Sequence, residues 1–75
     1  MLMHLALDTK ADAAYVRLVD GIQPGEFVRT IVCEDPGLRG MIIIDIDAAG
    51  HVLGIEFVGA RARLRSETLG GAGPG

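Results

Sequence analysis

Met3, Leu5 and Leu7 alternate with His4, Ala6 and Asp8, the period of two that marks a half-buried strand. A polar break at Asp8-Thr9-Lys10-Ala11-Asp12 follows and predicts a turn or bulged hairpin loop. Ala14, Val16 and Leu18 then alternate with Ala13, Tyr15, Arg17 and Val19, giving a second strand. Asp20-Gly21 and Pro24-Gly25 punctuate a loop. Glu26 to Glu34 holds Phe27, Val28, Ile31, Val32 and Cys33 and predicts a third strand. Asp35-Pro36-Gly37 stops it, because proline has no N–H for a ladder and glycine permits the turn.

Met41 to Phe57 carries two β-branched runs around a short polar turn and reads as a hairpin of strands four and five, with Gly59 ending the last. Asp47-Ala48-Ala49-Gly50 fits a type I turn closed by a left-handed glycine, so Asp47 and Gly50 are its structural residues. A three-residue loop sets Asp47 opposite His51 and puts Asp45 on the face of Leu53 and Ile55. A four-residue loop sets Ile46 opposite His51 and gathers Ile42, Ile44, Ile46, Leu53, Ile55 and Phe57 on one face. A one-residue slip exchanges the faces of a strand, so the hydrophobic pattern selects the four-residue loop. Each such side chain contributes roughly 1.5–3 kcal/mol when fully buried. Left wet, the face would cancel the stability of a typical domain. These residues are therefore the expected core and interface, covered by a C-terminal helix in part or by a second copy through sheet-on-sheet packing. Met41 and Ile43 imply partial burial of the opposite face as well.

Ala60 to Leu69 contains good helix formers, yet Arg61, Arg63 and Arg65 also alternate, so a short helix and an edge strand both fit. Gly70-Gly71-Ala72-Gly73-Pro74-Gly75 has no side chain able to build a core and is expected to be a disordered glycine-rich tail. The expected architecture is mainly β: one small domain over residues 1–69, a single antiparallel sheet of four to five short strands in a meander of hairpins, with a short C-terminal helix as an option and completion by dimerisation.

Composition sharpens the need for a partner. A chain of 75 residues buries a modest share of its surface and is marginal alone. Cys33 is the single cysteine, which rules out an internal disulfide, and His4, Cys33 and His51 lie too far apart for zinc spacing. A second copy of the chain is the simplest remaining support. The hydrophobic fraction is 49%, but the longest apolar run, Met41 to Ile44, is far too short to span a membrane. Met1 to Leu7 has no basic region of the kind that opens a signal peptide, and a lone cysteine fits a reducing, cytoplasmic setting. A net charge of −3 argues against general binding to nucleic acid.

The candidate chemistry is thin. Asp45, Asp47, Gly50, Val52 and Glu56 fall at positions of a calcium loop, but Ala49 replaces a ligand and the flanks read as strands, which hold Glu56 away from Asp47. No metal or cofactor is expected there. Asp8, Asp12 and His4 could meet if the first hairpin brings them together, although turn aspartates more often accept local hydrogen bonds. Tyr15 is a candidate site residue or a packed strand tyrosine. The candidate set is thus Asp8, Asp12, Tyr15, Asp45 and Glu56, with no catalytic base or oxyanion donor to name. Cys33 beside Glu34 and Asp35 is a poor nucleophile, since nearby acids raise a thiol's pKa. Arg61, Arg63 and Arg65 lack the interleaved aromatics of a nucleic-acid surface and read as a solvated face.

Two segments resemble a short prokaryotic family of unknown function, the YuzE-like proteins. Leu7-Asp8-Thr9-Lys10-Ala11-Asp12-Ala13-Ala14-Tyr15-Val16-Arg17-Leu18 is similar to the family's opening, and Ile43 to Phe57, with Asp45-Ile46-Asp47 and Gly54-Ile55-Glu56, to its close. The chain departs at Leu7, where the family often has an aromatic, and in a longer Asp20-to-Gly25 loop. The resemblance implies a small, mainly β, cytoplasmic protein and no reaction. Some members are suggested to accompany toxin-like neighbours. The expected function is a non-enzymatic, homodimeric protein-interaction module. The alternatives are a ligand-binding or catalytic domain using the acidic residues, and an antitoxin-like or nucleic-acid-linked regulator.

Overall fold

The computed structural model describes residues 4–21, 23, 25 and 29–74. Met3 and residues 26–28, which the sequence pattern assigns to the first and third strands, lie outside the described residues. The elements are β1 (His4–Asp8), β2 (Ala13–Arg17), β3 (Arg29–Cys33), β4 (Met41–Ile46), β5 (Val52–Val58), α1 (Ala60–Arg63), α2 (Ser66–Gly70) and β6 (Gly73–Pro74). They form one sheet in the order β3-β4-β5-β2-β1-β6. The first five strands pair antiparallel throughout. The order departs from a plain meander, because β5 inserts between β2 and β4 and the β2–β3 segment carries the chain to the far edge.

The two faces separate cleanly. Leu5 and Leu7 pair with Val16 and Ala14, which pair in turn with Ile55 and Phe57. Ile55 and Phe57 oppose Ile44 and Ile42, and these oppose Ile31 and Cys33. Because side chains alternate along each strand, these residues line one apolar face. The other face carries Tyr15, Glu56, Ile43 and Val32 in one row and Arg17, Gly54, Asp45 and Thr30 in the next.

The hairpin reaches this partition by a different route from the four-residue loop. Asp47 N–H donates to the His51 carbonyl at 3.0 Å, and Gly50 has φ 86°. Ile46 lies opposite Val52. This is the three-residue loop with a left-handed glycine. That register alone would turn Asp45 toward the apolar face. Between Asp45 and Ile46 the register shifts, so Asp45 faces Gly54 and Leu53 is the extra residue of a bulge. The turn geometry therefore wins at the tip, and the hydrophobic pattern wins one residue later. Asp47 holds the tip with its own side chain, accepting N–H bonds from Ala49 at 3.0 Å and His51 at 2.8 Å.

Residues 60–69 are helical rather than an edge strand, in two short helices broken at Leu64, whose backbone is extended. The segment after residue 70, expected to be disordered, instead has Gly73 and Pro74 paired in parallel with Ala6 and Leu7. Backbone pairing needs no side chain, which is why a glycine-rich tail can join a sheet. The connection from β5 to β6 joins two strands that run the same way. By the right-handed rule for such crossovers, α1 and α2 belong on the apolar side of the sheet. Burial agrees: Ala14 is 1% exposed and Ala60 0%. Leu53 at 4% completes the fully buried apolar set among the described residues. No described helix is long and apolar enough to cross a membrane.

Candidate functional site

Tyr15, Asp45 and Glu56 converge on the polar face. Tyr15 leaves the central strand β2 and lies across β5 at Gly54, where a Cβ would collide with its ring and hydroxyl. A glycine between the large apolar residues Leu53 and Ile55 of a strand marks such a close approach. The Tyr15 hydroxyl donates to Asp45 Oδ2 at 3.1 Å, and the Thr30 hydroxyl donates to Asp45 Oδ1 at 3.1 Å. The polar line therefore runs across β2, β5, β4 and β3. Glu56 is the direct cross-strand neighbour of Tyr15. Thr30 and Gly54 were not among the sequence candidates. The interrupted apolar run at Gly54 is the signal that could have found both, once the register put it beside Asp45.

Burial raises the Tyr15 pKa above its ordinary 10.0. The Asp45 hydrogen bond and charge and the Glu56 charge push it the same way, and Arg17 pulls it back in part. The site thus holds a protonated phenol donating to a carboxylate whose two oxygens are both engaged. Such a phenol is neither a ready nucleophile nor a base, while each carboxylate oxygen accepts one hydroxyl and keeps a second acceptor site.

Asp8 and Asp12 sit elsewhere, at the β1–β2 turn. Asp8 Oδ1 accepts N–H bonds from Lys10 at 3.1 Å and Ala11 at 3.2 Å. Asp12 adopts φ 52°, and its Oδ1 accepts the Arg61 N–H at 3.0 Å. Its carbonyl accepts from Gly59 at 2.9 Å and Ala60 at 2.8 Å. This residue splices the hairpin to the start of α1. His4 opens β1 and Asp8 closes it, so the strand holds the two about 13 Å apart. Among the described residues no group of three His, Cys, Asp or Glu side chains is placed to hold a metal ion.

The three arginines do not form one surface. Arg61 bonds the Thr9 carbonyl at 3.3 Å and lies 3.9 Å from Asp12. Arg63 turns inward, with Nε and Nη1 buried and without a hydrogen-bond partner among the described residues. Arg65 points outward, 3.9 Å from Glu67. Open grooves lie at the β3–β4 loop, lined by Glu34, Pro36 and Leu38, and under the β4–β5 turn, lined by Val19, Ala48 and Leu53. Neither is lined by Tyr15 or Asp45.

The family described as "Protein of unknown function (DUF2283)" matches residues 5–61. The chain belongs to this family. No curated protein matches the chain, and no solved structure does. The matched span contains Asp8, Asp12, the Tyr15–Asp45 pair, Glu56 and the Asp47 turn, and it stops within α1. The core of this family member is therefore the five-stranded antiparallel sheet, to which α2 and β6 are appended.

Proposed function

We propose that the chain is a protein-interaction module without chemistry of its own and that it works as a homodimer. One observation carries the reading. Among the described residues, the exposed large apolar side chains are Ile31 at 36%, Val32 at 49% and Val52 at 39%, and two of these sit on β3 at the sheet edge. Soluble proteins blunt an edge strand with lysine, proline or a covering element. Here Thr30, Ile31 and Val32 are exposed on an apolar edge.

The magnitude predicts a modest affinity. Full burial of a Val or Ile side chain contributes roughly 1.5–3 kcal/mol. Ile31 and Val32 are already about half covered, so two copies gain roughly 3–6 kcal/mol at this edge, less than the roughly 8 kcal/mol of micromolar binding. Backbone pairing and charge must supply the remainder. Size-exclusion chromatography with light scattering, from about 1 to 100 μM, tests the reading. A mass rising to twice that of the chain is expected, and a monomer throughout refutes it. Ligand binding at Tyr15, Asp45 and Glu56 is the weaker reading, because none of the three lines either described groove and Asp45 is already bonded to two hydroxyls within the sheet.

A further inference from the structure

We infer that β3 is the seam of the dimer, with two copies paired antiparallel about a two-fold axis through Val32. The inference rests on the homodimer reading and adds its geometry. Leu18 N–H donates to the Leu53 carbonyl at 2.9 Å, and Gly59 N–H to the Asp12 carbonyl at 2.9 Å. These fix which antiparallel pairs exchange backbone bonds, and the pattern alternates from strand to strand. Carried across the sheet, Gly54 and Glu56 bond to Asp45 and Ile43, and Ile44 and Ile42 bond to Ile31 and Cys33. Thr30 and Val32 then aim their N–H and C=O groups away from β4, along an edge that no described strand pairs.

Directly opposed residues in a two-fold pair share a face only when their numbers sum to an even value. Pairing Val32 with the partner's Val32 meets that condition and matches the outward backbone groups. Ile31 then meets the partner's Cys33 on the apolar face, continuing the row that Ile44 and Ile42 begin. Thr30 meets the partner's Glu34, and Arg29 meets the partner's Asp35 just beyond the strand. Arg29 is exposed and has no ion-pair partner among the described residues. Asp35 uses Oδ1 for the Gly37 N–H at 2.7 Å, which leaves Oδ2 for the arginine. The seam thus covers the exposed apolar pair and matches opposite charges at both ends.

Disulfide trapping tests the register in the full chain. In a Val32→Cys, Cys33→Ala variant, the two new thiols lie on the axis with Cα atoms about 5.5 Å apart, inside the range that a disulfide spans. Mild oxidation is expected to give a covalent dimer. In the parent chain the two Cys33 residues are offset by two positions, about 8 Å apart, and are expected to resist trapping. Val32→Lys should return the protein to the monomer with an unchanged circular dichroism spectrum, because the Val32 backbone does not bond to β4. If the parent is a dimer, but Val32→Cys fails to link and Val32→Lys keeps the doubled mass, the seam is wrong and the homodimer reading survives. A parent that is monomeric throughout overturns both. If the parent is a dimer that Cys33 traps more readily than Val32→Cys, the strands pair in a shifted register and the axis is refuted.

Discussion

Gly54→Ala is the sharpest test of the polar line. The backbone of Gly54 is not in the left-handed region, so an L side chain costs nothing in φ. The cost is steric: the new methyl runs into the Tyr15 hydroxyl and ring, with Cε2 at 2.9 Å. The ring must swing away, and the bond to Asp45 goes with it. Forcing a methyl into an occupied space costs about 1–3 kcal/mol, and the lost hydrogen bond adds about 1 kcal/mol. Alanine returns roughly 0.5–1 kcal/mol through its lower chain entropy when unfolded. The net destabilisation is about 1–3 kcal/mol, a sizeable share of the 5–15 kcal/mol that holds a typical domain.

Urea unfolding followed by circular dichroism reads this difference directly. The decisive comparison is the same substitution in a Tyr15→Ala background, where nothing lies over Gly54. There it should be neutral or slightly stabilising, so the two changes are strongly coupled. An equal cost in both backgrounds, or a cost under about 0.5 kcal/mol in the parent, would refute the placement of Tyr15 across β5.

Tyr15 is the only tyrosine and the chain has no tryptophan, so absorbance at 295 nm follows its ionisation alone. The midpoint should lie above 10.0 in the parent and fall back toward it in Gly54→Ala. A raised folded value means that this contribution to stability is whole below pH 10 and lost as pH rises through the folded midpoint. Asp47 behaves oppositely. The N–H of His51 holds its carboxyl below the ordinary 3.8, with the His51 ring and the Ala49 N–H assisting against partial desolvation. Its contribution is present above 3.8 and fades as pH falls through the lower folded value, which carboxyl NMR of Asp47 should show. Leu53→Ala removes the one large side chain among the fully buried apolar residues described and should cost about 2–5 kcal/mol in urea unfolding.

Much of the sheet was legible because its signals are local. Alternation placed β1, β2, β4 and β5, and the Asp47–Gly50 turn announced itself through residue types that few other conformations favour. The loop length was not legible. Ile42, Ile44, Ile55 and Phe57 share a face under either of two arrangements, a four-residue loop or a three-residue loop with a bulge, and periodicity cannot separate them. Strand order was hidden for a different reason. Insertion of β5 between β2 and β4 depends on long-range pairing, which no stretch of sequence reports. The candidate site was half legible: Tyr15 and Asp45 stood out as polar groups on strands, whereas their meeting depends on Gly54 and on the bulge that turns Asp45 to the polar face. The tail escaped because its contacts are made by the backbone.

The polar line and the edge seam are parts of one device. Among the described strands β3 has a neighbour on one side only, and edge elements open more readily than central ones. Thr30 ties it to Asp45, and Asp45 is tied in turn to Tyr15 on the central strand β2. A carboxylate that accepts one hydroxyl is less firmly oriented than one that accepts two, so removing the Tyr15 hydroxyl should loosen the Thr30 bond although two strands lie between β2 and β3. Tyr15→Phe keeps the ring over Gly54 and deletes only the donor. Hydrogen exchange of the Ile31 and Cys33 amides, which bond to β4, should then quicken roughly 2- to 12-fold, the effect of about 0.5–1.5 kcal/mol on local opening. Amides of β1 and β2 should change no more than global stability requires. A uniform change across the sheet would mean that the hydroxyl supports the fold as a whole. Acceleration confined to β3 would mean that it holds the seam strand in place.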